Sequence, residues 1–160
     1  MPTQTLARVT EMTPLNDFAW SMTLEVSDMI RTTLKNPGQF VHVKCGDQRL
    51  LRRPISVCSC SEDSPSDLLR LVFEVRGDGT DWLAHRAVGD EVDVMGLLGN
   101  GFPLSPTGRY LLVGGGIGVP PMLGCAQSAP GRCDAVLGFR DKAHALLMDD
   151  FAPVCPTVAV

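Results

Sequence analysis

The stretch Tyr110-Leu111-Leu112-Val113-Gly114-Gly115-Gly116-Ile117-Gly118-Val119-Pro120-Pro121 limits the possible folds of this chain more than any other. Its opening apolar run offers no polar face to water. It therefore reads as a strand covered on both sides, the usual condition of a parallel sheet. The glycines that follow permit a tight turn. Prolines fit the first turn of a helix, where their missing N–H is not needed. Strand, glycine loop and a helix over 119–129 predict one β-α unit. Residues 135–139 supply a second apolar strand, 143–150 a second helix and 157–160 the start of a third strand. The order β-α-β-α-β predicts the opening of a doubly wound parallel sheet.

Residues before about 105 have another texture. Segments 5–12, 18–26, 39–44, 51–60, 68–75 and 91–95 alternate apolar and polar residues, and turn signals such as Asn36-Pro37-Gly38 punctuate them. Short strands at this spacing predict a small antiparallel barrel or sandwich, with a short helix over 81–87. A linker rich in Pro, Ser and Gly runs from 102 to 109. The expected units are 1–103 and 109–160, which a chain of 160 residues accommodates.

A net charge of −4 argues against a nucleic-acid sleeve, which needs a basic excess. The longest apolar stretch, 110–123, is broken by glycine and proline and is too short to span a bilayer. Met1-Pro2-Thr3-Gln4-Thr5 lacks the charged and apolar regions of a leader. The expectation is a cytoplasmic protein. Its six cysteines (45, 58, 60, 125, 133, 155) include no Cys-x-x-Cys pair and read as reduced, buried small hydrophobes. Cys58 and Cys60, two apart on a predicted strand, are expected to share a face. A redox or metal pair there is the alternative. His42 reads as a strand residue, and His85 and His144 as helix-surface residues.

Four stretches carry chemistry. Arg52-Arg53-Pro54-Ile55-Ser56 offers guanidinium forks and a hydroxyl suited to phosphate; its bland alternative is a solvated strand end. In Arg76-Gly77-Asp78-Gly79-Thr80-Asp81, glycines allow close backbone approach and Thr80 is expected to cap a helix; an ordinary turn is the alternative. Gly96-Leu97-Leu98-Gly99-Asn100-Gly101-Phe102 alone is a loop. Gly114 to Gly118 joins a strand to a helix as a phosphate cradle does. It departs from the dinucleotide fingerprint, because Val119 stands at the third glycine position.

In this order, Pro37-Gly38-Gln39-Phe40, Arg53-Pro54-Ile55-Ser56, Gly77-x-Gly79-Thr80, Leu98-Gly99-Asn100-Gly101-Phe102, Gly114 to Pro121 and Gly138-Phe139-Arg140 resemble the ferredoxin–NADP reductase superfamily. Within it they are most similar to the electron-transfer subunits of class 1B dihydroorotate dehydrogenases. The resemblance runs from about residue 7 to the end of the chain. It implies an antiparallel flavin-binding β-barrel followed by an incomplete doubly wound parallel α/β nucleotide-binding domain.

The resemblance also implies roles. Arg53, Pro54, Ile55 and Ser56 would contact the flavin and its phosphate. Val72, Phe73 and Glu74 would line the FAD, and Gly79 and Thr80 would hold its pyrophosphate. Gly114, Gly115, Gly116, Ile117 and Gly118 would meet NAD(H). No side chain need act as acid or base, since the cofactors carry the redox chemistry. The implied partner is an FMN-containing dihydroorotate dehydrogenase catalytic subunit, in a hetero-oligomer with two of each chain. Electrons would reach it through a [2Fe–2S] cluster, in pyrimidine biosynthesis. No cysteine here matches the family's four cluster ligands, so the chain is expected to be truncated at its C-terminal side. The flavin subunit of a related NADH-dependent ferredoxin:NADP oxidoreductase or sulfide dehydrogenase is a second enzyme reading. A non-catalytic barrel used for partner docking is the third.

Overall fold

The computed structural model describes residues 3–27, 29–47, 50–62 and 66–160; Met1 and Pro2, part of the stretch inspected for a leader, lie outside them. Six strands form the first unit: β1 (Thr3–Pro14), β2 (Ala19–Glu25), β3 (Phe40–Val43), β4 (Arg53–Glu62), β5 (Asp67–Glu74) and β6 (Glu91–Leu98). They close into a barrel in the order β1-β2-β5-β4-β3-β6, antiparallel at every pairing. Alternation along each strand drives the closure. Val9, Met22, Leu24, Val41, Val43, Leu69, Leu71 and Val94 are fully buried inside, and a closed sheet leaves no open edge.

One element is absent from the sequence reading. Helix α1 (Met29–Thr33) is too short to show a helical period. Met29 and Ile30 join the barrel core, and Arg31 pairs at 3.0 Å with the fully buried Asp67 of β5. Helix α2 (Asp78–Ala84) begins before the expected position, with Gly77 rather than Thr80 at its N-cap.

The second unit is a parallel sheet of β7 (Tyr110–Gly115), β8 (Cys133–Gly138) and β9 (Val158–Ala159), in that order. Helix α3 (Val119–Ser128) covers one face. Its companion departs from expectation. Residues 143–150 are not one helix: a 3₁₀ turn at Lys142–His144 is followed by non-helical residues and then α4 (Met148–Phe151). The backbone leaves the helix at Ala145, which is extended (φ −66°, ψ 139°), and at Leu147, which is left-handed (φ 59°); Leu146, Leu147 and Phe151 are all buried in the second core. The expectation of two covered sheet faces holds for one. Leu111 and Val113, on the face away from α3, remain two-thirds exposed. Among the described residues, no helix is long and apolar enough to cross a membrane.

The two units share a core. Ala19, Cys58 and Val72 point outward from the barrel and pack with Leu112, Val119, Leu123 and Phe151. A bulge in β4 makes this possible. The register steps from Val57↔Leu71 to Ser59↔Arg70, leaving Cys58 as the extra residue. Val57 and Cys60 pack on the barrel core while Cys58 turns to the second core. The expectation that Cys58 and Cys60 share a face is therefore corrected. Among the described residues, none of the six cysteines is joined in a disulfide. Burial pushes the Cys58 thiol up to about 12 and Cys125 up to about 11.

Helix α3 lies directly on β4. A Cβ added to Gly124 would stand 2.8 Å from the Cys58 carbonyl oxygen, a backbone atom that cannot swing aside. Farther along, Arg70 of β5 pairs with Asp150 of α4 at 2.8 Å.

Gly124→Ala is expected to lower stability by about 1–3 kcal/mol, the usual cost of overpacking, measured by urea unfolding. In the folded protein at pH 8, a thiolate-selective reagent should label Cys58 only after unfolding, checked by mass spectrometry of labelled peptides.

Candidate functional site

Two neighbouring clefts open where the barrel meets the glycine loop of the second unit. The first, of about 210 Å³, is lined by Pro54, Ile55 and Ser56 of β4, Val72, Phe73 and Glu74 of β5, Arg76, Thr80 of α2, and Ile117 from the turn after β7. The second, of about 260 Å³, lies among Phe18, Glu74, Val75, Arg76, Gly116, Arg140 and His144. Glu74 and Arg76 border both, and their side chains pair at 2.6 Å.

The floor of the first cleft is apolar because Ile55, Val72 and Phe73 are buried at the ends of their strands. Ser56, Glu74, Arg76 and Thr80 supply its polar lining, whereas Arg52, Arg53 and Gly79 are not among the residues that line it. Arg52 and Arg53 part company. Arg52 spends its fork on Asp93, at 2.7 and 3.1 Å. Arg53 donates to the Leu51 carbonyl at 3.0 Å and has no carboxylate partner among the described residues. Its side chain lies over Gly79, where a Cβ would stand 2.6 Å from Nε. Gly79 is buried, and a side chain there would displace that of Arg53. The Thr80 hydroxyl accepts from the Arg76 amide at 2.9 Å and donates to the Gly77 carbonyl at 3.1 Å. It ties the turn, instead of capping the helix.

The glycine loop divides by function of place. Gly114 is buried under the start of α3, and a Cβ there would lie 3.0 Å from the Val119 backbone. Gly115, Gly116 and Gly118 have no neighbouring atom within 4 Å of an added Cβ. They present bare backbone to the outside, and Gly116 adopts a φ of 50°, which disfavours any side chain. Ile117 alone reaches into the first cleft.

Phe18 and His144 are missing from the sequence reading of the site. His144 is not a helix-surface residue: its ring stacks on Phe18 with centroids 4.1 Å apart and planes 4° from parallel. Its Nδ1 sits 2.7 Å from Asp141 Oδ1. That hydrogen bond holds the Asp141 carboxyl below the usual carboxylate range. Nothing in the local pattern of either residue announces a contact across 126 positions of sequence. His42 lies on β3, as expected, and His85 is exposed at the end of α2.

Comparison with known proteins finds relatives by sequence and by structure. No protein-family model matches the chain. The electron transfer subunit of dihydroorotate dehydrogenase B (NAD(+)) from Bacillus caldolyticus is 44% identical over 137 residues, covering 81% of this chain and 52% of that protein. The chain is homologous to the dihydroorotate dehydrogenase B electron transfer subunits. The Geobacillus kaustophilus subunit is 42% identical over the same shares. The chain spans about half the length of the curated relatives it matches.

Solved structures give the same fold. An NADH-dependent reduced ferredoxin–NADP oxidoreductase, described for flavin-based electron bifurcation, matches with a TM-score of 0.80 at 26% identity, over 96% of this chain and 55% of its own. A cytochrome P450 reductase of Amycolatopsis matches at 0.80 and 22%, over 98% of this chain and 50% of its own. The closed antiparallel barrel followed by a parallel sheet is the ferredoxin reductase-type architecture of this electron transfer homologue.

Thr80→Val removes both hydroxyl hydrogen bonds of the turn. Amide exchange at Arg76 should accelerate by about five- to tenfold, the worth of one lost hydrogen bond, read by exchange mass spectrometry.

Proposed function

We propose that this chain forms the flavin- and nicotinamide-binding part of an electron transfer subunit of the dihydroorotate dehydrogenase B type, an FAD-dependent oxidoreductase subunit. Residues 1–103 serve as the flavin-binding unit and 109–160 contribute part of the NAD(H)-binding unit. The observation that carries this reading is convergence. Pro54, Ile55, Ser56, Val72, Phe73, Glu74, Thr80 and Ile117 come from four separate stretches and line one cleft. The homology at 41–44% identity and the 26% likeness to an NADH-dependent flavin-based oxidoreductase support it.

The residues fit an FAD. An apolar floor suits a flat ring system, and Arg53, unpaired with any described carboxylate, suits a phosphate. Ser56 is exposed at the rim with its hydroxyl available for a ring heteroatom. The bare backbone of Gly115, Gly116 and Gly118 suits close approach of a nicotinamide nucleotide. When bound, the flavin supplies conversion between hydride transfer and single-electron transfer. The protein's part is to hold, orient and shield. Ile55, Val72 and Phe73 exclude water from beneath the ring site. Arg53 neutralises phosphate. Glu74 and Arg76 hold each other at the boundary between the two clefts, and Thr80 keeps the turn that positions Arg76. Gly114 lets α3 start close above β7, which sets the loop's place.

The thiols do not fit an iron–sulfur cluster. Among the described residues, no three His, Cys, Asp or Glu side chains gather as metal ligands, so no step is assigned to such a cluster in this chain. The proposed partner is a flavin-containing catalytic subunit that oxidises dihydroorotate. The greater identity to the dihydroorotate dehydrogenase B subunits favours this reading over a ferredoxin:NADP oxidoreductase role.

Reconstitution tests it. The purified chain mixed with FAD should retain flavin through gel filtration and show oxidised-flavin absorbance. Arg53→Ala should weaken FAD binding by about ten- to hundredfold, as expected for a lost charge-assisted hydrogen bond. A colourless wild-type chain under these conditions would refute the flavin reading and favour a docking module.

A further inference from the structure

The β1–β2 turn hooks the second unit beside the second cleft. Asn16 Oδ1 accepts from the amides of Phe18 and Ala19, at 2.9 and 2.8 Å, which fixes the turn. Asn16 Nδ2 then reaches across to the Ala145 carbonyl at 3.3 Å. The Phe18 carbonyl accepts from the Val75 amide at 2.9 Å, so the Phe18 backbone is locked to the strand end that carries Glu74 and Arg76. On the other side, Asp141 caps the 3₁₀ turn and grips the His144 ring. The two half-fixed rings meet face to face. Arg140 precedes this turn directly and lines the same cleft as Phe18, His144 and Gly116.

The geometry points to Phe18 and His144 as positioning residues whose stack sets where Arg140 stands relative to Glu74, Arg76 and the Gly116 backbone, and so tunes nicotinamide-nucleotide affinity. The inference rests on the proposed placement of that nucleotide at residues 114–118. Its physical logic is that of a clasp. Arg140 is exposed, and no carboxylate pairs with it among the described residues. Its position therefore depends on the backbone of 138–144. That backbone continues β8 at one end and is held at the other by the 3₁₀ turn. Without the stack, the turn keeps its Asp141 cap but loses its ring contact with the barrel, and Arg140 is freed to move away from the cleft. Arg70–Asp150 and the α3–β4 contact would still hold the two units together. The effect is local, and the FAD cleft, which neither ring lines, keeps its walls.

The experiment uses the whole chain reconstituted with FAD and titrated with NAD⁺, followed by flavin fluorescence, alongside ligand-free amide exchange over 139–146. Phe18→Ala and His144→Ala should each raise the Kd for NAD⁺ by roughly three- to tenfold, the range an aromatic pair is worth. FAD affinity should not change. The double variant should be no weaker than either single one, because both remove one interaction. His144→Phe, which keeps a ring on Phe18, should restore affinity. Amide exchange over 139–146 should quicken in both alanine variants. Unchanged Kd and unchanged exchange would overturn the inference, and so would a fall in melting temperature with Kd unaltered. A wild-type chain that binds FAD but not NAD⁺ would overturn the nucleotide placement and the affinity role together. Exchange would then report only whether the clasp exists.

Discussion

The contact between Gly124 and the Cys58 carbonyl is the fixed point of this molecule. A helix axis can approach a strand this closely only where a side chain is missing. Because α3 sits flat on β4, its opposite side is free to cover β7 and β8, and its first turn falls where the glycine loop ends. The cleft between loop and barrel is the space left at the N-terminal end of that packing. Its width is set by a backbone-to-backbone distance several residues away, and not by the cleft's own lining.

Much of this architecture was legible in the amino-acid order. The six barrel strands are found where alternation placed them, within a few residues, because burial inside a small closed sheet demands period two. The parallel sheet was visible for the same reason in reverse: residues 110–113 and 135–139 have no polar face. What escaped was non-local. Helix α1 is a five-residue plug whose Met29 and Ile30 are explained only by the barrel mouth they enter. The break in 143–150 comes at an extended Ala145 and a left-handed Leu147, neither of which the apolar pattern marks.

The site shows a similar division. Of the residues chosen for their chemistry in separate stretches, Pro54 to Ser56, Val72 to Glu74, Thr80 and Ile117 line one cleft, since strand ends and a glycine turn bring them to the same rim of the barrel. Arg53, Gly79 and the glycines of 114–118 other than Gly116, which borders the neighbouring cleft, do not. Gly79 makes room for Arg53, and Thr80 spends its hydroxyl on the turn. Of two adjacent arginines, one is consumed by Asp93, a choice set by strand pairing that no local pattern encodes. The Phe18–His144 stack had no sequence signal, because it depends on where two units touch.

The bulge at Cys58 gives β4 a double allegiance. One inserted residue lets a single strand face two interiors in turn, so side chains two apart answer to different neighbours. Volume added at 60 presses on the barrel, whereas volume added at 58 acts as a wedge between barrel and helix. The strand thus works as a gauge for the gap between the units. A methyl group placed at position 124 of the facing helix presses on the same gauge, at the Cys58 carbonyl, and would be read out as a change of aperture at the cleft where two cofactors are proposed to meet.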